Sequence, residues 1–262
     1  MKNCSLLFVL GIMFLLTYVL SSCSVSPVHA AANVVIVSHT GYLHWTGGTY
    51  FVVGEVWNQG TTAAKDVYVS ITYYDASNAV IESDDVYTLI GVVLGGRKVP
   101  FWHALDTGAE SVHHYNIELH YTEDPIGKPQ GIRILSHNSS VVPYPPTNWL
   151  YISGQIKNEG PLNTIAIIIT ATHYNVFGDV VGVSFTAVPS LDSNQVTDFQ
   201  LVEEITYRES LYHHYELSAE SVQYALVPEF PASIVLSLLM MVTLVAVALN
   251  QLRHKRNVET QA

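Results

Sequence analysis

Gly54-Glu55-Val56-Trp57-Asn58-Gln59-Gly60 reappears one hundred positions later as Gly154-Gln155-Ile156-Lys157-Asn158-Glu159-Gly160. The shared pattern is G-x-[VI]-x-N-[QE]-G, and the same offset carries Tyr74 onto Tyr174, Val80 onto Val180 and His113-His114-Tyr115 onto His213-His214-Tyr215. At the front, Ser38-His39 matches Ser136-His137 with the offset shorter by two. Several matches in one register make the chain a tandem repeat, with copies of a size that one hydrophobic core can hold. The first copy is expected over 31–124 and the second over 132–226, joined by a short turn-rich linker over 125–131 that limits motion between them.

Within each copy the apolar period is two, which is the period of strands. Val67, Val69, Ile71 and Tyr73 alternate with Tyr68, Ser70, Thr72 and Tyr74, so one set faces a core and the other faces away. Ile167, Ile169, Ala171 and His173 repeat the inward set. Val52, Gly54 and Val56 face inward, as do Ile152, Gly154 and Ile156, which leaves Glu55 and Gln155 on the outer side. At Gly54 and Gly154, backbone or a bulky aromatic from the opposite sheet is expected to fill the missing side chain. Tyr115, Ile117, Leu119 and Tyr121 mark a late strand, echoed by Tyr215, Leu217 and Ala219. Asn58-Gln59-Gly60 and Asn158-Glu159-Gly160 close a strand in a tight turn, with glycine at positive φ and asparagine bonding its own backbone. Short strands punctuated by turn residues predict an all-β protein of two tandem immunoglobulin-like β-sandwich domains.

The two ends carry a different signal. Lys2 followed by the apolar run Leu6 to Leu20 reads as a signal peptide over 1–30, cleaved near Ala30, with Leu20-Ser21-Ser22-Cys23 as a competing lipobox-like site that would acylate Cys23. Near the C-terminus, Val227-Pro228-Glu229-Phe230-Pro231 forms a stem over 227–231. It precedes the uncharged run from Ala232 to Leu249, which at ~1.5 Å per residue covers roughly 27 Å and fits a transmembrane helix over 232–250. Arg253-His254-Lys255-Arg256 then marks a cytoplasmic tail over 251–262. The expected location is the cell membrane, single-pass, with residues 31–227 outside and the C-terminus in the cytoplasm.

Composition narrows the function classes. Residues 31–227 hold seven Lys and Arg against 20 Asp and Glu, a net charge of −13, which repels nucleic acid and anionic lipid. Both cysteines, Cys4 and Cys23, lie in the leader, so each copy must fold on its apolar core without a disulfide. No G-x-S-x-G elbow, phosphate loop or H-E-x-x-H motif is present. The pairs Asp84-Asp85 and Glu203-Glu204 read as turn or solvated edge, and the chain is expected to be no enzyme and to use no cofactor.

Ten histidines fall in the exported part, and they raise a metal reading. His114, Glu118 and His120 share one strand face, with His39 from a neighbouring strand or His214 in the second copy as further ligand candidates. His113 and His114, adjacent on a strand, are expected to point to opposite faces, and His173 to be a half-buried, hydrogen-bonded ring. A second candidate is an aromatic binding face of Phe51, Trp57, Tyr68 and Tyr74, suited to glycan or protein, or else packed on the sister copy. Asn138-Ser139-Ser140 is a glycosylation sequon at Asn138, expected where the second copy begins its first loop.

Phe51-Val52-Val53-Gly54-Glu55-Val56-Trp57-Asn58, then Ile71-Thr72-Tyr73-Tyr74-Asp75 and Asn78-Ala79-Val80-Ile81, resembles the FxLYD domain, a small β-sandwich module of prokaryotic surface proteins. In its namesake motif Ile71 stands for the Phe, Tyr73 for the Leu and Tyr74-Asp75 for the final pair. The second copy places Ala171, His173, Tyr174 and Asn175 there. The tail resembles the Pro-Glu-Phe-Pro, helix and basic cluster that end many archaeal surface proteins, some of them processed by an archaeosortase. Neither resemblance implies an enzymatic activity. Two functions are expected: a non-catalytic anchored module for adhesion, assembly or envelope structure, partnered by a surface protein or glycan and not by nucleic acid, or an anchored receptor that binds a metal or small solute.

Overall fold

The structure, a computed structural model, describes residues 31–205 and 208–227. The expected signal peptide over 1–30, most of the expected stem over 227–231, the expected transmembrane helix over 232–250 and the expected tail over 251–262 lie outside the described residues. Among the described residues no helix is long and apolar enough to cross a membrane.

The described chain is all-β. In the first repeat the strands are β1 (Val34–Leu43), β2 (Tyr50–Asn58), β3 (Ala63–Tyr74), β4 (Val80–Tyr87), β5 (Val92–Val93), β6 (Lys98–Leu105) and β7 (His114–Asp124). One sheet has the order β1-β2-β6; in the other, β4 and β5 pair along one side of β3 and β7 along its other side. In the second repeat β8 (Gln130–Tyr144), β9 (Thr147–Asn158), β10 (Thr164–Tyr174), β11 (Val180–Leu191), β12 (Val196–Glu204), β13 (His214–Glu220) and β14 (Ala225–Leu226) form one seven-stranded sheet in the order β11-β10-β13-β14-β8-β9-β12. The short β14 causes this difference. It pairs with β13 on one side and runs parallel to β8 on the other, joining layers that stay separate in the first repeat.

Each repeat encloses its own apolar cluster. Val67, Val69, Ile71 and Tyr73 of β3 pack with Val52, Val56 and Phe101, and Ile167, Ile169 and Ala171 pack with Ile152, Ile156 and Leu201. The strand alternation read from the sequence is the alternation that burial follows. His173 takes the place of Tyr73, is fully buried, and shares a 3.0 Å hydrogen bond with Ser184 Oγ. Burial pushes its imidazole pKa down to about 3, so the ring is neutral.

The repeat motif works by devices the sequence reading assigned in part. Gly54 lies opposite Phe101 and Gly154 opposite Phe199 across the ladder, and a Cβ at either glycine would run into that phenylalanine ring. The ring therefore comes from the neighbouring strand of the same sheet and not from the opposite sheet. Gly60 and Gly160 do not adopt positive φ. Glycine is required there because a Cβ would strike the Ala31 carbonyl in one copy and the Tyr224 ring in the other.

Asn58 and Asn158 are fully buried. Asn58 Nδ2 donates to the Thr62 and Val93 carbonyls at 2.8 and 2.9 Å while its Oδ1 accepts from Gly60 N at 3.0 Å. Asn158 donates to Leu162 and Leu191 at 2.8 and 3.1 Å and accepts from Gly160 at 3.0 Å. One amide thus ties the end of β2 or β9 to the crossover that follows and to a strand of the facing layer. Asp75 and Asn175 have a parallel task in the hairpins after β3 and β10. The Asp75 carboxylate accepts from Ser77 N and Ala79 N, and the Asn175 amide oxygen accepts from Phe177 N and Asp179 N. Either side chain has an oxygen at that point, which is why aspartate and asparagine interchange between copies.

Candidate functional site

Part of the outer face of the β1-β2-β6 sheet is covered by the second repeat. Val53 of β2 packs with Tyr174, Val180 and Val183 of β10 and β11, flanked by Tyr42, Leu89 and Trp102. Thr40 Oγ1 donates to the Val180 carbonyl at 2.6 Å and Ser38 Oγ accepts from Val180 N at 3.0 Å, so β1 and β11 are joined by polar contacts as well. Glu55, assigned to the outer side by its alternation, is 2 % exposed because the second repeat covers it, whereas Gln155 remains exposed. Tyr174 OH donates to Glu55 Oε1 at 2.6 Å, and Lys98 Nζ lies 3.3 Å from Oε2. Burial raises the Glu55 pKa, an effect opposed by the Tyr174 hydroxyl and Lys98. At the far end of the contact Glu220 accepts from Lys128 Nζ at 2.6 Å and from Gly91 N and Val92 N, tying the linker and both repeats together.

Where the two repeats diverge beside this contact, they leave a cleft of about 570 Å³. The first repeat supplies Tyr42, His44 and Trp45 from β1 and the turn after it, Phe51 from β2 and Trp102 from β6. The second supplies Trp149 from β9, Glu203 and Glu204 from the end of β12, and Arg208 and Leu211 just beyond. The rings form a continuous wall: Tyr42 to Phe51 at 5.5 Å, Phe51 to Trp102 at 5.8 Å, and Trp102 to Phe185 at 5.8 Å between centroids. The first repeat supplies three of these rings, and the cleft is closed by residues of the second.

The polar groups of the cleft are tied to one another. Trp45 Nε1 donates to Glu204 Oε1 at 2.6 Å, and His44 Nε2 stands 3.5 Å from Glu204 Oε2. The Arg208 guanidinium lies 3.4 Å from the centroid of the Tyr42 ring and donates to the Val181 carbonyl. Tyr212 OH donates to Glu203 at 3.2 Å. Burial pushes the Glu203 carboxyl up to about 8, against the opposing pull of the Tyr212 hydrogen bond and Arg208, with the Glu204 charge raising it further. Glu203 is therefore mostly protonated at neutral pH. The pair read as a solvated edge is instead part of the cleft, because the partner repeat closes over the end of β12.

Other sites read from the sequence are placed differently. Phe51 and Trp57 lie on β2 and Tyr68 and Tyr74 on β3, in different sheets, so the four do not make one face. Phe51 belongs to the cleft. Tyr68 instead sits in an outer row between Tyr87 and His120, at 5.3 and 4.8 Å, and Tyr74 stacks on His114 at 4.9 Å. The metal candidates are dispersed. His114 is stacked on Tyr74, and His120 is stacked on Tyr68 and 3.9 Å from Glu118. His39 bonds Tyr115 OH at 2.9 Å, while His214 stacks on Tyr174 at 4.8 Å. Four residues of strand put roughly 13 Å between His114 and Glu118. Among the described residues no group of three or more His, Cys, Asp or Glu could hold a metal ion.

His113 and His114 do not point apart. Their Nδ1 atoms are 3.4 Å apart, as are those of His213 and His214. His113 precedes the first residue of β7 and bonds the Tyr74 carbonyl through its own N–H, so strand alternation does not yet apply to it. Asn138 is exposed within β8, opposite Ser153, rather than in a loop.

Trp102 and Arg208 were not singled out by sequence reasoning, and Glu203 gains its meaning only from the strand pairing. Gly54 pairs with Phe101 as Gly154 pairs with Phe199, which puts Glu203 of the second copy where the first has Leu105, a core residue at 1 % exposure.

No family model matches the chain, and no curated protein matches it either. Among solved structures, a β-glucuronidase from glycoside hydrolase family 2 is 10% identical, covering 68% of this chain and 23% of its own, with a TM-score of 0.29. Bacteroides uniformis β-glucuronidase 2 gives 10% identity, 67% and 24% coverage and a TM-score of 0.29. The tandem CBM22 domains of Paenibacillus barcinonensis Xyn10C give 10% identity, 73% and 85% coverage and a TM-score of 0.18. The chain thus spans about a quarter of the length of the two glucuronidases, and at these scores the likenesses assign it no activity.

Proposed function

We propose that the chain is a non-catalytic, membrane-anchored surface receptor. In this reading a signal peptide over 1–30 exports two immunoglobulin-like, FxLYD-like sandwiches over 31–124 and 132–226, and a helix over 232–250 holds them at the outer face of the membrane. The observation that supports binding over a purely architectural role is the cleft built from both repeats, concave, mostly aromatic and supplied with a few converging polar groups. The adhesion reading rests on the outer row of Tyr87, Tyr68 and His120, ring surface that lies outside the cleft.

Two measurements test the receptor reading. Protease added to intact cells is expected to degrade residues 31–227 and to leave a tag placed after Ala262 intact; a protected 31–227 region would overturn the topology. Native mass spectrometry of the detergent-solubilised full chain is expected to find a small organic solute bound near one to one. A chain carrying Trp102→Ala and Trp149→Ala together should lose it. A wild-type chain that retains no solute, with no change in its tryptophan emission on adding cell metabolites, would return the protein to the adhesion reading.

A further inference from the structure

We infer that the cleft between the repeats takes an organic cation with apolar substituents, a quaternary ammonium or alkylated amine, held between aromatic faces from Trp45, Phe51, Trp102 and Trp149 and the carboxyl groups of Glu203 and Glu204. The inference rests on the cleft being the ligand site. Aromatic faces carry negative potential and hold a desolvated cation without hydrogen bonds, which suits a wall of rings. Carboxyl groups from one strand end complete it, and residues 31–227 carry a net charge of −13 that draws cations inward.

The hydrogen-bond inventory argues against a polyhydroxylated sugar. The Nε1 donors of Trp45 and Trp149 and the Tyr212 hydroxyl are directed at Glu204, Thr147 and Glu203, and one Arg208 nitrogen at the Val181 carbonyl. A sugar would have to displace these bonds, whereas a quaternary ammonium needs none of them. The Arg208 guanidinium sits over the Tyr42 ring and bonds the Val181 carbonyl; its charge offsets part of the negative potential, which leaves Glu204 and a Glu203 that a bound cation can ionise to face the ligand.

Glu203 supplies the distinguishing property. With its carboxyl raised to about 8, the empty cleft keeps that group protonated at neutral pH, and a bound cation favours the ionised form. Binding then releases a proton, and affinity rises as pH rises toward and through that value. The charged and titratable groups facing Glu203 are Glu204 on its own strand, Arg208 and Tyr212 beyond it, and Tyr42 and His44 from the first repeat.

The test is calorimetric titration of the detergent-solubilised full chain with choline, with its uncharged isostere 3,3-dimethylbutan-1-ol, and with cellobiose. Choline is expected to bind at least about tenfold more tightly than the isostere. Its affinity should rise about tenfold between roughly pH 6.5 and 8.5. Glu203→Gln is expected to flatten that pH profile, and Glu204→Gln to weaken choline without flattening it. Equal binding of choline and the isostere, or a flat wild-type profile, overturns the cation. Cellobiose binding without choline also overturns it, yet leaves the cleft as the site. If choline binds and Trp102→Ala leaves that binding unchanged, the site is elsewhere and the cleft reading itself falls.

Discussion

Asn58→Leu is expected to destabilise the protein by about 3–5 kcal/mol. Leucine keeps the branched heavy-atom skeleton of asparagine but is bulkier and offers nothing to the Thr62 and Val93 carbonyls or to the Gly60 N–H, which Asn58 binds at 2.8, 2.9 and 3.0 Å. The site is fully buried, so water cannot replace the lost partners. Each stranded group costs about 1–3 kcal/mol, and because they share one side chain the total falls short of their sum. Asn158→Leu should behave alike, since its amide makes the equivalent bonds. The change next door, Gln59→Ala at an exposed position, should stay within about 0.5 kcal/mol. Urea unfolding of the three variants measures this, and a loss below about 1 kcal/mol for Asn58→Leu would show that the amide is not the clamp.

The second large effect belongs to the contact between repeats. Tyr174→Phe removes the hydroxyl that donates to Glu55 at 2.6 Å and leaves that buried carboxyl with Lys98 3.3 Å away. Losing a hydrogen bond to a buried charged group costs about 1.5–3 kcal/mol. We expect a loss at the lower end of that range, because Lys98 is partly exposed and can follow the carboxyl. The loss should appear as two separated calorimetric transitions where the wild type gives one, since the contact couples the two cores. Adding Glu55→Leu should restore most of the coupling by removing the stranded group, and the double variant therefore separates this contact from general damage.

The same contact has a pH signature. The Glu55 pKa is raised in the fold, so its contribution to stability is full below the ordinary carboxylate range and is lost as pH rises through the raised value. Glu203, raised to about 8, adds a loss in the same direction up to that pH. Both effects oppose the usual carboxylate trend, because burial and not ion pairing is the leading cause at each site.

Much of the single-copy structure was legible in the chain. Period two at Val67, Val69, Ile71 and Tyr73 gave the buried face of β3, and the repeat carried that face to Ile167, Ile169 and Ala171. The motif asparagine was recognisable as a turn residue that bonds its own backbone, but its bonds to Val93 and Leu191 lie 35 and 33 positions away and have no local trace. The cleft was the least legible part. Of its aromatics Phe51 was singled out as an outward ring, yet nothing in a single strand says which outer face another strand will cover.

The sequence by itself determined what depends on neighbours along the chain: the strand period, the turn residues, the tandem copies and the acidic balance of residues 31–227. Tertiary structure decided what depends on the meeting of the two copies. Glu55 and Gln155 occupy the same position of one motif, and only Glu55 is buried, because β10 and β11 of the second repeat lie over the first. Glu203-Glu204 is an ordinary acidic pair in sequence, and it becomes part of an aromatic cleft because rings some 100 to 160 positions earlier close over the end of β12. Alternation fixes which way a side chain points relative to its own sheet. What waits on the other side, water or a second copy, is settled only by how surfaces fit in three dimensions.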